Sequence, residues 1–276
     1  MTSEPKSAAE KGRDFRALHA APGAIRLPNP WDVGSAKVLE SIGFRALATT
    51  SGGFAWSVGK LDGAVSLDEK LAHCEALCDA VDIPITADLG PGFGDAPEAI
   101  AETVRRAGET GLSGCSIEDA ANPYFGGAFE FDAAVARVAA AVEAARALPH
   151  DFLLTARCEE FSTGGRNLDE AIRRLSAYEE AGADVLYAPG LMTIDDIRAI
   201  CDAVSKPVNV LIGFRQFTVP TTELEAAGVK RISLGTDLAR IAYGAAMNAA
   251  KEFAETGAIQ DSDIEARSKD IAASFV

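Results

Sequence analysis

Eight short runs rich in β-branched and apolar residues alternate with eight helical patterns along this chain, and nothing else in it restricts the fold as strongly. The runs are AIRLP (24–28), RALATTS (45–51), IPITAD (83–88), SGCSIE (113–118), FLLTARC (152–158), DVLYA (184–188), PVNVL (207–211) and RISLG (231–235). Helical spacing fills 33–42, 67–80, 97–109, 132–147, 168–181, 194–203, 221–227 and 238–255. Gly43, Gly182 and Gly228 end three of these patterns, supplying the left-handed residue that stops a helix before the chain re-enters a sheet. Strict βα alternation requires a parallel sheet covered by helices. Eight units in 276 residues favour closure into a (β/α)8 TIM barrel over an open doubly wound sheet. No low-complexity linker interrupts 15–250, so the expectation is a disordered tail over 1–14 and one barrel domain over 15–276. Its amphipathic last segment reads as an extra helix that packs on a neighbour.

In such barrels, chemistry sits where strands end and βα loops begin. Those positions hold Asn29 and Asp32 after the first strand, Ser51-Gly52-Gly53 after the second and Asp88 after the third. The fourth ends in Glu118-Asp119, the fifth in Arg157 followed by Glu159, and the seventh carries Asn209, an amide placed to bind substrate. Carboxylates at buried strand ends are costly unless paired or bound to a cation. Asp88 and Glu118, on adjacent strands, therefore read either as a hard-metal site or as helix caps and partners of Arg157. Arg157 ends an apolar strand and needs an anion; its planar fork fits a substrate carboxylate. Ser51-Gly52-Gly53 offers a hydroxyl and unobstructed backbone N–H groups as a cradle for an anion.

Other signals point to structure. The Gly90–Gly94 stretch lacks both the Lys-Ser/Thr ending of a phosphate loop and the spacing of a dinucleotide fingerprint. No G-x-S-x-G elbow is present. His19, His73 and His150 fall in or beside helical segments, away from the strand ends. Five cysteines, an odd number, read as reduced thiols, and Cys74 and Cys78 lack the second ligand pair of a metal site. The net charge of -15 argues against a nucleic-acid partner. No apolar stretch reaches the roughly 20 residues of a membrane span, and the polar N-terminus carries no apolar signal core, so a cytoplasmic protein without a membrane partner is expected.

Several segments taken together resemble one family. ITADLGPGFGD, CSIEDA, LLTARCEEF, YEEAGADVLYAPG, PVNVL and VKRISLG occur in the order of the isocitrate lyase/phosphoenolpyruvate mutase superfamily. The upstream PNPWDVGSAKVLESIGFRALATTSGG and VGKLDGAVSLDE match too, so the resemblance covers 15–250. It implies Mg2+ (or Mn2+) as cofactor and a small 2-oxo acid whose C–C or P–C bond is made or broken beside an enolate. It implies Asp88 and Glu118 as metal-shell acids and Arg157 as the ligand of the substrate anion. Ser51, Gly52 and Gly53 correspond to the segment that binds the substrate carboxylate, and Asp62 to an acid near the metal; Arg157 and Asp62 are the catalytic assignments. The implied assembly is a homodimer or homotetramer that exchanges a C-terminal helix, with 249–272 as the compatible segment.

The departures bear on the reaction. The second acid usual two residues after Asp88 is Gly90, and the usual Glu of strand six is Pro189. The loop AANPYFGGAFEFD carries neither the Lys-Lys/Arg-Cys-Gly-His motif of isocitrate lyases nor the Lys/Asn–Ser arrangement of phosphonate enzymes. Tyr124 is the titratable side chain of its central stretch, and an unperturbed phenol could act only as an acid. The leading expectation is a Mg2+-dependent lyase or decarboxylase acting on a 2-oxo acid or substituted malate. A phosphonopyruvate mutase or hydrolase relative, and a non-catalytic 2-oxo acid binding protein, stay open.

Overall fold

The computed structural model describes residues 4–121, 127–213, 217–259 and 268–275. Its strands are β1 (Ile25–Leu27), β2 (Leu47–Ala48), β3 (Ile85–Asp88), β4 (Gly114–Glu118), β5 (Leu153–Arg157), β6 (Val185–Tyr187), β7 (Val208–Leu211) and β8 (Arg231–Ser233). The helices are α1 (Ala8–Ala20), α2 (Val33–Ser41), α3 (Ser51–Ser57), α4 (Leu67–Ala80), α5 (Pro97–Gly108) and α6 (Phe131–Arg146). They continue with α7 (Leu168–Glu180), α8 (Ile194–Ala203), α9 (Thr221–Ala226), α10 (Asp237–Thr256) and α11 (Ser268–Ala273).

All strand pairs are parallel, in the order β1-β8-β7-β6-β5-β4-β3-β2. This is the (β/α)8 barrel, nearly closed. Between β1 and β2 the described residues form no ladder; the seam is held by the Ala48 N–H on the Pro28 carbonyl (3.1 Å) and by Asn29. Asn29 donates from Nδ2 to the Thr49 carbonyl (3.2 Å), and its Oδ1 accepts from the Leu234 and Gly235 N–H groups, each at 2.9 Å. This buried side chain, a rim residue by sequence, therefore staples three strand ends.

Side chains alternate across the strands, as a pleat requires. One set, including Leu47, Ile85, Ala87, Cys115, Ile117, Leu154, Ala156 and Val210, packs with the helices in the main core. The other faces the barrel interior. It changes from apolar at the strand starts (Ile25, Leu153, Val185) to polar at their ends (Asp88, Glu118, Arg157). Arg231 shows that these residues point inward, since its Nη1 crosses from β8 to Thr155 Oγ1 on β5 (2.9 Å).

The interior needs a floor, and α1 supplies it. Phe15 and Leu18 pack with Ile25, Leu27, Ala46, Ala48, Leu153 and Val185. The disordered tail expected over 1–14 is thus corrected: α1 starts at Ala8, behind a Ser7/Glu10 capping box. Buried Lys11 donates to the carbonyls of Cys78 (2.7 Å) and Val81 (2.6 Å), satisfying the C-terminal end of α4. The second difference is α3, where a turn was expected: Thr50 caps a helix whose start is masked in sequence by two glycines.

At the other end of the chain, α10 buries only Ala239 among its residues, and Ile241, Met247 and Phe253 are exposed. All five cysteines are free thiols, four of them buried. Among the described residues, no helix is long and apolar enough to cross a membrane.

Candidate active site

The carboxyl ends of β3, β4 and β5 bring Asp88, Glu118 and Arg157 together: Glu118 is the register partner of Arg157, and Asp88, paired with Ser116, ends its strand one inward-facing position earlier. Arg157 Nη1 lies 3.0 Å from Glu118 Oε2 and 3.6 Å from Asp88 Oδ1. Its Nε lies against Glu159 Oε1, and its guanidinium carbon is 5.3 Å from the centre of the Tyr187 ring. One cation thus gathers three carboxylates.

Asp88 is also tied down by its neighbours. Its Oδ2 accepts from Ser51 Oγ (3.1 Å), its Oδ1 from the Gly90 N–H (3.1 Å), and its own N–H donates to Thr49 Oγ1 (3.0 Å). Burial opposes its ionisation, but Arg157, Lys70 and these donors outweigh that and hold it below the usual carboxylate range. Glu118, 5% exposed, goes the other way: burial and the charges of Glu159, Asp88 and Asp62 overcome Arg157 and push it up to about 8. Asp62 is raised by burial and by the charge of Asp88.

Asp62 reaches the site through α3. A methyl group on Gly52 would stand 3.1 Å from Asp62 Oδ2 and 2.9 Å from Thr236 Cγ2, so Gly52 is the gap into which the acid fits. Gly53 has a different reason. Its N–H is taken by the Thr50 cap (3.2 Å), and a Cβ there would lie 2.5 Å from Thr50 Cγ2 and 3.0 Å from Trp31 Cβ. The open cradle expected of 51–53 therefore reduces to the Ser51 hydroxyl and the first N–H groups of α3. Asn209 is placed deeper: it donates from Nδ2 to Ser233 Oγ (3.1 Å), while its buried Oδ1 meets no described partner. Gly90 sits at φ 55°, with nothing within 4 Å of where a Cβ would be, so its missing acid leaves open space. Tyr124 lies outside the described residues.

Of two further groups, Asp119 was placed at a strand end by the sequence but given no role, and Lys70 was not found. Asp119, behind the rim, accepts from Tyr178 Oη (2.7 Å), Arg174 Nη1 (3.1 Å) and the Glu159 N–H (2.7 Å), locking the β5 exit to α7. The i, i+4 spacing of Arg174 and Tyr178 was the available signal. Lys70, 2% exposed, donates from Nζ to Thr49 Oγ1 (3.2 Å). Its place on the buried stripe Lys70-Leu71-Cys74-Leu77-Cys78 could have marked it.

The histidines are structural, as expected. His73 stacks on Phe54 with ring centres 3.8 Å apart, its Nε2 is 3.1 Å from the Trp31 carbonyl, and burial together with the Lys70 charge lowers it to about 3. A depressed folded value means that the neutral ring contributes stability above about pH 6.5, lost as pH falls toward 3. The pH profile of thermal unfolding should therefore flatten over that window in His73→Phe, which keeps the stack and removes the titration.

Among the described residues, no three His, Cys, Asp or Glu side chains converge to enclose a metal. The donors present still suit a hard cation. Asp62, Asp88, Glu118 and Glu159 outnumber the nearby Arg157 and Lys70, and two of the acids, Asp62 and Glu118, are raised by burial and then by their acidic neighbours. Mg2+ typically takes one or two carboxylates and keeps its waters, which this set can provide.

The phosphoenolpyruvate phosphomutase family model matches residues 15–254. A probable 2-methylisocitrate lyase of Corynebacterium glutamicum is 29% identical over 257 residues, 90% of this chain and 82% of that protein. The 2,3-dimethylmalate lyase of Eubacterium barkeri is 30% identical, over 78% of this chain and 76% of its own length. A crystal structure of a candidate lyase/mutase from Burkholderia cenocepacia J2315 superposes with TM-score 0.93 at 49% identity, covering 97% of both chains. With the barrel and its acid-rich rim, these matches place the chain in the phosphoenolpyruvate phosphomutase family, within the isocitrate lyase/phosphoenolpyruvate mutase superfamily of lyases and mutases.

Proposed function

We propose that this protein is a Mg2+-dependent lyase or decarboxylase that acts on a small 2-oxo acid or substituted malate through an enolate. The observation that carries this reading is Arg157, a guanidinium at the mouth of the barrel between Asp88, Glu118 and Glu159. It would bind the substrate carboxylate, with the Ser51 hydroxyl on the other side of Asp88. Asp88, with Glu118 and Asp62 behind waters, would hold the divalent cation. Bound there, the cation would withdraw charge from the oxygen that becomes the enolate. Asp119 keeps the Glu159 backbone, and so the Arg157 arm, in place. The 2,3-dimethylmalate lyase and 2-methylisocitrate lyase relatives, by their names, act on substituted malates or related acids, which supports the substrate class.

Calorimetry with oxalate, a stand-in for the pyruvate enolate, tests the reading. We expect binding that strengthens with Mg2+, and turnover of at least one substituted malate or 2-oxo acid to a smaller acid. No oxalate binding with or without Mg2+ would overturn it. A phosphorus NMR signal change on phosphonopyruvate would transfer the chain to the phosphonate enzymes, and tight binding without turnover across the panel would make it a binding protein. We further propose a homodimer or homotetramer, covering the exposed face of α10, in the cytoplasm; light scattering checks the mass.

A further inference from the structure

Buried lysines are rare unless paired, because desolvating an ammonium costs several kcal/mol. The chain contains two instructive cases. Lys11, in the floor helix, places its ammonium on two backbone carbonyls and needs no other explanation. Lys70 is more buried, at 2% exposure, yet among the described residues its Nζ has one hydrogen-bond partner, Thr49 Oγ1, and no carboxylate at ion-pair distance. The Phe54 ring centre is 5.8 Å away. Nothing local to α4 repays the burial of this charge.

Its surroundings give it another role. Thr49 Oγ1 is also the acceptor for the Asp88 N–H (3.0 Å), so one hydroxyl joins the ammonium to the residue that ends β3. The field of Lys70 reaches Asp88 and Asp62, where it favours the charged carboxylates. Arg157 sits on the mouth side of Asp88 and Lys70 behind the strand.

We propose that Lys70 is a positioning residue of this site: through Thr49 it fixes the Asp88 end of β3, and its sealed charge adds to that of Arg157 in favour of an anionic ligand. The inference rests on the acid-binding reading above. It has a signature that mere structural support lacks, because a cation behind Asp88 attracts an acid and repels a metal ion.

The test compares wild type, Lys70→Met and Lys70→Arg, with oxalate titrated in the presence of Mg2+ and Mn2+ titrated alone by electron paramagnetic resonance. Lys70→Met should weaken oxalate about ten-fold and tighten Mn2+ by a similar factor, given a partly screened charge at this range. Lys70→Arg should move both constants back toward wild type. Shifts in the same direction, or unchanged oxalate affinity in a wild type that binds it, would overturn the proposal. If wild type binds no oxalate, the acid-binding reading fails, and Mn2+ alone decides: tightening in Lys70→Met upholds the charge role, and no tightening removes it. Should Lys70→Met not fold, Lys70→Gln, which can still bond Thr49, is read instead. If neither folds, Lys70 belongs to the core and the proposal falls.

Discussion

Arg157→Ala should lose oxalate binding by a factor of roughly a hundred to several thousand, since removing one side of a buried, hydrogen-bonded charge pair costs about 3–5 kcal/mol. The effect has two sources. The ligand loses a planar donor fork, and Asp88, Glu118 and Glu159 lose the cation that separates them. Arg157→Lys should recover only part of the affinity, because a point charge cannot bond both oxygens of a carboxylate in one plane. Calorimetry on the two variants checks this, with circular dichroism confirming the fold. Unchanged affinity in Arg157→Ala would remove Arg157 as the anchor.

Phe15→Ala should be the most destabilising single truncation outside the site, at about 3–5 kcal/mol. Phe15 is fully buried and, with Leu18, packs on Ile25, Leu27, Leu153 and Val185 to form the floor of the barrel. For a chain of this size, that corresponds to a fall of roughly 6–20 °C in Tm. Differential scanning calorimetry measures it. A change below about 1 kcal/mol would mean that the floor collapses to fill the gap or that α1 is dispensable.

The fold was legible because period-2 and period-3.6 patterns alternate without interruption, and each expected strand contains an observed one. What escaped was local. The signature Ser7-x-x-Glu10 announced α1, but its polar flank resembled a tail, and the apolar pair Phe15 and Leu18 has meaning only once a barrel needs a floor. The α3 helix hid behind Gly52 and Gly53, which sequence reads as flexible and the structure reads as close approach. At the site, the strand-end rule drew Asp88, Glu118 and Arg157 together because adjacent parallel strands end at the same rim, within two residues of one another in register. It could not separate Asn209, the second residue of β7 and turned to Ser233, nor find Lys70, which enters from a helix. Side chains that act from behind a strand leave no mark at its end.

The seam between β1 and β2 has a further meaning. Every other junction of the barrel is a ladder, whereas this one depends on a backbone contact and the amide of Asn29. Ser51 leaves the site on the β2 flank of that gap, and Thr236, which follows β8 beyond β1, has its methyl group 2.9 Å from where a Cβ on Gly52 would stand. An occupant touching both flanks would serve as a missing rung.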